Sequence, residues 1–330
     1  MQSPGGAHRA GRLVRAAVLA VILAVCLAVI LVVRMPEVAA WRWYAMSGEP
    51  AMTAGDLSLA KPLRWFDDYY AVADLGEGTY AIAEPRYAQC NFSYLVVGSE
   101  RALLFDTGPG LRDVRRVVEK LTALPVVVVP SHLHFDHIGN LPRFEDVALP
   151  DLPALREQSR DGNVELGFYQ FLGFVEGFKR PVFTVSRWIV AGSTIGLGGR
   201  ELTLLSVPGH APESVALLDR RTNRLFAGDF MYPSAIFAFL PGANLHDYLV
   251  SAQQVAGVLD NASAIFGGHG CEKLPTVDLP VLRRSDLMAL ASALAVADTD
   301  RWRAGNGWYP REIAVNARMK LLAKYPWMWP

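Results

Sequence analysis

Apolar residues in this chain follow three patterns. The first is an unbroken block over residues 13–33, 21 positions with Arg15 as the sole charge. As a helix it is long enough to cross a hydrocarbon core of about 30 Å. Arg9, Arg12 and Arg15 lie on its N-terminal side, and Arg34, Glu37 and Arg42 follow it. That bias predicts a cytoplasmic tail at 1–12, a single-pass signal-anchor at 13–33, and the rest of the chain outside the cytoplasm. Trp41, Trp43 and Tyr44 come where an interfacial aromatic belt belongs. The rival is a signal peptide cleaved to release a secreted protein. Its apolar region is long for that role, and the small-residue site near Val38-Ala39-Ala40 is poor. Cys26 follows the branched Val25, where a lipoprotein site wants a small residue.

The second pattern has helical period. Leu111, Val114, Val117, Val118 and Leu121 share one face, with Arg112, Arg115, Arg116 and Glu119 on the other, and Pro125 ends the run. Further helices are predicted over 151–160, 245–259 and about 280–296, the second with Asn244 and Asp247 at capping-box spacing. The third pattern is a series of short apolar runs: 79–83, 91–97, 102–105, 125–130, 193–197, 201–207, 214–218, 224–227 and 264–266. Gly98-Ser99 and Gly198-Gly199 fall between consecutive runs, as hairpin turns do. Strands and helices in this order predict a layered α/β domain over 69–330, after a linker and lead-in at 34–68. Aromatic residues crowd 164–190 (Phe168, Tyr169, Phe171, Phe174, Phe178, Phe183, Trp188). They read either as a helix packed into the core or as an apolar cap, about 151–190, over a site for a hydrophobic substrate portion. A C-terminal helix and an aromatic tail (Trp302, Trp308, Tyr309, Trp327, Trp329) occupy 276–330, the tail expected as a final strand or against the membrane.

Charge changes the picture by exclusion. The chain holds 32 basic and 32 acidic residues with no basic stripe, so nucleic acid is not an expected partner. Its three cysteines are too few for a disulfide framework, and pairing of Cys90 with Cys271 is left open. No Gly-x-Ser-x-Gly elbow is present, and no serine or cysteine nucleophile is called for.

The candidate chemistry begins where the 125–130 run ends, in Ser131-His132-Leu133-His134-Phe135-Asp136-His137. Three of the chain's seven histidines fall in these few positions, and imidazole is a good zinc ligand. Three later segments share one shape, an apolar strand, small residues, then one ligand type: Val207-Pro208-Gly209-His210, Phe226-Ala227-Gly228-Asp229 and Phe266-Gly267-Gly268-His269. Small residues let the backbone turn sharply and approach a ligand closely. Together these segments supply five His and two Asp, the number needed for two metals sharing a carboxylate.

With Phe105-Asp106-Thr107-Gly108 and the His-x-His-x-Asp-His motif, then His, Asp and His in order, the chain resembles the metallo-β-lactamase superfamily across roughly 70–275. The resemblance implies an αββα sandwich. It implies that His132, His134 and His210 hold one zinc, that Asp136, His137 and His269 hold a second, and that Asp229 bridges them, with manganese or iron as substitutes. Asp106 would orient a ligand imidazole. Flavodiiron relatives carry Glu where His134 stands, so redox iron is not expected. True β-lactamases of this fold lack the bridging Asp, which is the pattern of glyoxalase II, lactonases, thioesterases and phosphodiesterases. The implied chemistry is attack on a carbonyl by a hydroxide bridging the metals, with Asp136 assisting proton transfer. Tyr232, three residues after Asp229, matches a Tyr of lactonase and acyl-coenzyme A thioesterase-type members and would donate to the oxyanion; equally, it reads as a buried Tyr with its hydroxyl satisfied within the fold. The expected function is a membrane-anchored hydrolase of an ester, thioester or lactone with an apolar portion. A β-lactamase or phosphodiesterase, or a metal-stabilised membrane scaffold, are the alternatives. His246 reads as a surface or capping residue, Arg143 as an exposed charge.

Overall fold

The computed structural model describes residues 5–34, 50–53, 55–270, 274–299, 305 and 310–324, with side chains of the first helix described over 14–30. That helix, α1 (Gly5–Arg34), contains the apolar block, and its described side chains are exposed. Among the described residues no helix is long and apolar enough to cross a membrane. Trp41, Trp43, Tyr44, Cys271 and the tail residues Trp302, Trp308, Tyr309, Trp327 and Trp329 lie outside the described residues.

Two six-stranded sheets form the body. The first runs in chain order: β1 (Arg64–Trp65), β2 (Ala71–Asp74), β3 (Thr79–Ala83), β4 (Phe92–Val97), β5 (Ala102–Phe105) and β6 (Val126–Val129), with helix α2 (Arg115–Leu121) between the last two. All pairs are antiparallel except β5 with β6, which the helical crossover makes parallel. A one-turn helix α3 (Phe135–Ile138) follows β6. Strands β7 (Ala148–Pro150) and β8 (Arg187–Ile189) pair in parallel and close the base of the aromatic segment between them. The second sheet has the order β9 (Thr194–Gly196), β10 (Glu201–Ser206), β11 (Val215–Asp219), β12 (Arg224–Gly228), β14 (Ala264–Gly267) and β15 (Val281–Arg283). Here β12 and β14 are the parallel pair, joined through β13 (Ala235–Ala238) and helix α6 (Leu245–Val258).

Strands buried on both faces explain the runs without polar alternation. Leu103, Phe105, Val127 and Val129 share one cluster with Leu204, Leu217, Phe226 and Phe266, between the sheets. Their neighbours Ala102, Leu104 and Val128 turn the other way, onto Val114, Val117 and Val118. On the second sheet Ala216, Leu218, Leu225 and Ile265 meet Tyr248, Ala252, Leu290 and Leu294 of α6 and of α7 (Arg284–Thr299). The αββα sandwich expected from the sequence is present. Arg200 ties the sheets at one edge: it donates to Asp219 Oδ2 on β11 (Nε, 3.1 Å) and to Thr79 Oγ1 on β3 (2.8 Å).

Several elements differ from expectation. Helix α2 starts at Arg115 because Asp113 Oδ1 accepts from the Arg115 amide (3.0 Å) and holds the preceding residues in a turn. The helix predicted over 151–160 shrinks to α4 (Pro153–Glu157), since residues 159–160 pair with 163–164 in a tight hairpin turned by Asp161-Gly162, both at positive φ. The aromatic segment holds one short helix, α5 (Phe168–Phe171), and a 3₁₀ turn. The lead-in segment adds β1 to the sheet edge and buries Leu63. After α7, strands β16 (Arg311–Ala314) and β17 (Lys320–Ala323) form a hairpin, and β17 pairs in parallel with β13.

Candidate active site

Every predicted ligand sits just beyond the C-terminal end of a strand: 132–137 after β6, His210 after β10, Asp229 after β12 and His269 after β14. The two sheets bring these ends to one edge of the sandwich. His134 Nδ1 lies 2.8 Å from His132 Nε2 and 2.9 Å from His210 Nε2. Asp136 Oδ2 lies 3.3 Å from His137 Nε2 and 3.5 Å from His269 Nε2. Asp229 stands between the groups, with Oδ1 3.3 Å from His137 Nε2 and Oδ2 3.6 Å from His210 Nε2. Both of its oxygens also lie near His269 Nε2, at 3.1 and 3.2 Å. The structure thus gathers all seven residues, and the ligand atoms of His132, His134 and His210, and of Asp136, His137 and His269, lie within 4.8 Å of one another in each set.

The donor chemistry fits two cations. His134 Nδ1 faces two ring nitrogens at hydrogen-bond distance, and a single ring proton serves only one of them. His137 Nε2 and Asp229 Oδ1 are buried with no hydrogen-bond partner, a state rarely left uncompensated. The far ring nitrogens are committed to oxygens: His132 Nδ1 to Ser131 Oγ (3.0 Å), His137 Nδ1 to Asp106 Oδ2 (3.0 Å), His210 Nδ1 to the Phe237 carbonyl (2.6 Å) and His269 Nδ1 to the Gln89 carbonyl (2.9 Å). An N–H directed to each oxygen leaves the opposite lone pair pointing into the site.

Protonation follows the same division. Burial, then neighbouring imidazoles, push His132 well below the ordinary histidine range and His134 down to about 3. Burial also lowers His210, so the first set is neutral, the form that binds metal. Burial acts against charge on His137 and His269 too, but the carboxylates around them win and raise both. Burial likewise opposes ionisation of Asp229, which His269 and His137 nonetheless hold well below the usual carboxylate range. The second set therefore calls for positive charge.

Backbone geometry places these groups. Asp106 holds φ at 64°, an uncommon region for a residue with a Cβ, and from there accepts from the Ser131 amide (Oδ1, 2.6 Å) while gripping His137. Gly268 passes so close to Asp229 that a Cβ there would come within 2.6 Å of Oδ1. Sequence reasoning missed Asn91, whose Nδ2 donates to both the carbonyl (2.8 Å) and Oδ2 (3.0 Å) of Asp136. Its position at the start of β4 carried no motif, and neither did the carbonyls of Gln89 and Phe237, which any residue supplies. Tyr232 sits beside the site, its ring centroid 4.9 Å from that of His269, and its hydroxyl donates to the Ala235 carbonyl (2.9 Å). His246, at the start of α6, is exposed and lies 3.0 Å from Asp298 of α7, and Arg143 pairs with Asp113 at 3.1 Å. Neither lines the site.

A cavity of about 380 Å³ opens onto both ligand sets, reaching His134, Asp136, His210, Asp229 and His269. Phe135, Leu172, Val175, Phe237, Leu240 and Leu322 give it apolar walls. In the aromatic segment Phe171 and Phe183 pack into the core, and Leu172 and Val175 between them belong to the same cluster and also line the cavity.

A sandwich of this topology, with His- and Asp-bearing loops converging at one edge, is the architecture of a metallo-hydrolase superfamily. The chain belongs to the metallo-beta-lactamase superfamily, whose family model matches residues 91–294. The acyl-coenzyme A thioesterase MBLAC2 of Gallus gallus is 32% identical over 233 residues, 63% of this chain and 84% of that protein. Its Homo sapiens counterpart is 29% identical over 237 residues, 63% of this chain and 85% of that protein. A metallo-beta-lactamase from Erythrobacter litoralis matches the fold with a TM-score of 0.52 at 17% identity, over 71% of this chain and 99% of that one.

Proposed function

We propose that this protein is a dinuclear zinc hydrolase that cleaves an ester, thioester or lactone with an apolar portion, an acyl thioester foremost. The observation that carries the proposal is the apolar-walled cavity opening onto both ligand sets. The relatives named as acyl-coenzyme A thioesterases support the thioester. His132, His134 and His210 would hold one ion, Asp136, His137 and His269 the other, with Asp229 shared. Ions held there would supply Lewis acidity toward a carbonyl oxygen and lower the pKa of water.

The chain's own residues do the rest. The Asn91 side-chain amide fixes Asp136 by donating to both its carbonyl and its Oδ2, and Asp136 lines the cavity. Its Oδ1 is assigned the proton released on attack. Tyr232 turns its hydroxyl from the Ala235 carbonyl to the developing oxyanion. Leu172, Val175 and Phe237 hold the acyl portion and exclude water from it. For localisation, the apolar block over 13–33 of the sequence supports a membrane anchor with the N-terminus cytoplasmic and the domain outside, although no helix among the described residues is long and apolar enough to span one; secretion after cleavage is the alternative.

The test uses full-length, metal-replete protein against a palmitoyl thioester, an acyl lactone, an aryl ester, a chromogenic cephalosporin and bis-nitrophenyl phosphate. Thioester cleavage is expected, lost on chelation and restored by zinc. The activity is expected in the membrane fraction and, in intact spheroplasts, open to externally added protease. Failure to hydrolyse thioester, lactone and aryl ester alike overturns the reading.

A further inference from the structure

Beyond the metal ligands, the cavity has one charged feature whose role the hydrolysis reading leaves open. Among the described residues lining it, Lys320 alone is a lysine or arginine. It opens β17, a strand of the C-terminal hairpin, which lies beyond the residues 91–294 that the family model matches. The hairpin is held against the site: Lys320 lies opposite Ala235 in the β13–β17 register, and its amide donates to the Ser234 carbonyl at 3.1 Å. Ala235 is also the residue whose carbonyl receives the Tyr232 hydroxyl.

Strand alternation sorts the hairpin's side chains. Leu321 and Ala323 are buried in the core beneath the second sheet. Lys320 and Leu322 face the cavity, Leu322 fully buried as wall and Lys320 about half exposed at the mouth. The ammonium meets Glu312 across the hairpin at 2.9 Å, and both side chains are similarly exposed, 45% and 44%. A pair so hydrated contributes little and yields readily to a stronger partner. A carboxylate ligand would only exchange like for like. A phosphate brings more charge and three acceptor oxygens, and so displaces Glu312.

We infer that Lys320 is a specificity-determining residue that receives a phosphate on the leaving portion of the substrate. The inference rests on the hydrolase reading above and narrows its substrate to an acyl ester or thioester whose leaving group is phosphorylated. The acyl chain then lies against Leu172, Val175 and Phe237, the scissile carbonyl at the ligand sets, and the phosphate at the mouth. Two sources carry that chemistry, a coenzyme A thioester and a phospholipid ester.

The experiment compares palmitoyl-coenzyme A with the neutral palmitoyl thioester of N-acetylcysteamine, and a lysophosphatidic acid with the matching monoacylglycerol. Wild type is set beside Lys320→Gln and Glu312→Gln, with zinc-replete full-length protein. In Lys320→Gln the preference in kcat/KM for the phosphorylated member falls about tenfold, through KM. Glu312→Gln raises that preference. The pair that shows the effect identifies the source. Calorimetric binding of free coenzyme A and of glycerol 3-phosphate runs in parallel, with the same loss expected in Lys320→Gln for the source that binds. An unchanged preference together with unchanged binding overturns the inference. Binding that depends on Lys320 without hydrolysis of any ester keeps the anion site and sinks the hydrolase reading; hydrolysis indifferent to Lys320 does the reverse.

Discussion

Asp229 and Tyr232 lie three positions apart and show two degrees to which one residue's role can be read. Asp229 places Oδ2 near His210 and Oδ1 near His137, so its type and its position both suit the shared role proposed for it. Tyr232 has the right type beside the site, yet its hydroxyl spends its proton on Ala235. If the hydroxyl swings to the oxyanion, Tyr232→Phe lowers kcat about 10²-fold, with KM and bound metal unchanged. Loss of less than about threefold, by steady-state kinetics and elemental analysis, would leave Tyr232 a wall of the cavity.

The elements that make the site are the loops after β6, β10, β12 and β14, and their glycines set how near the ligands come. Gly268→Ala drives a methyl toward Asp229 Oδ1. The expected result is a folded protein by circular dichroism that binds fewer than two metal equivalents and loses at least about tenfold in activity, since a misplacement near 1 Å is enough for larger losses. These loops were legible in the sequence because they carry side-chain chemistry: all seven candidate residues, five His and two Asp, and the small residues before the last three stand in the chain as written. The central strands were legible too, since burial on both faces leaves unbroken apolar runs such as Val126–Val129. Asn91 and the carbonyls behind His210 and His269 were not, because their function is set by tertiary position. Short edge elements escaped for a related reason. Arg64–Trp65 is two residues long and exposed on both, with no alternation to read, and only a neighbouring strand makes it β. The helix expected over 151–160 gave way to a hairpin whose turn chemistry outweighs apolar spacing.

At the scale of the molecule, Arg200 is one polar tie between the sheets, beside the Tyr94 hydroxyl on the Gly267 carbonyl. Burial opposes charge on Asp219, but Thr222 and Arg200 hold its carboxyl below the ordinary range. A carboxyl depressed in the folded state stabilises above its unfolded pKa, about 4, and that contribution is lost as pH falls through the folded value. Arg200→Met strands the Asp219 carboxylate, with an expected loss of about 3–5 kcal/mol in urea unfolding at pH 7. The loss shrinks toward pH 3 as the carboxyl takes up its proton; a loss equal at both pH values would show that packing around Arg200 carries the effect. The ligands couple the same two halves in another way. Each set draws two ligands from the first half of the chain and one from the second, and Asp229 adds another from the second. Neither half alone offers a complete coordination sphere, so an ion bound here is a clasp across the sandwich, and by linkage its affinity adds to the stability of the docked state. Metal scarcity would then reach this protein twice, by silencing the catalyst and by thinning the population whose halves stay closed.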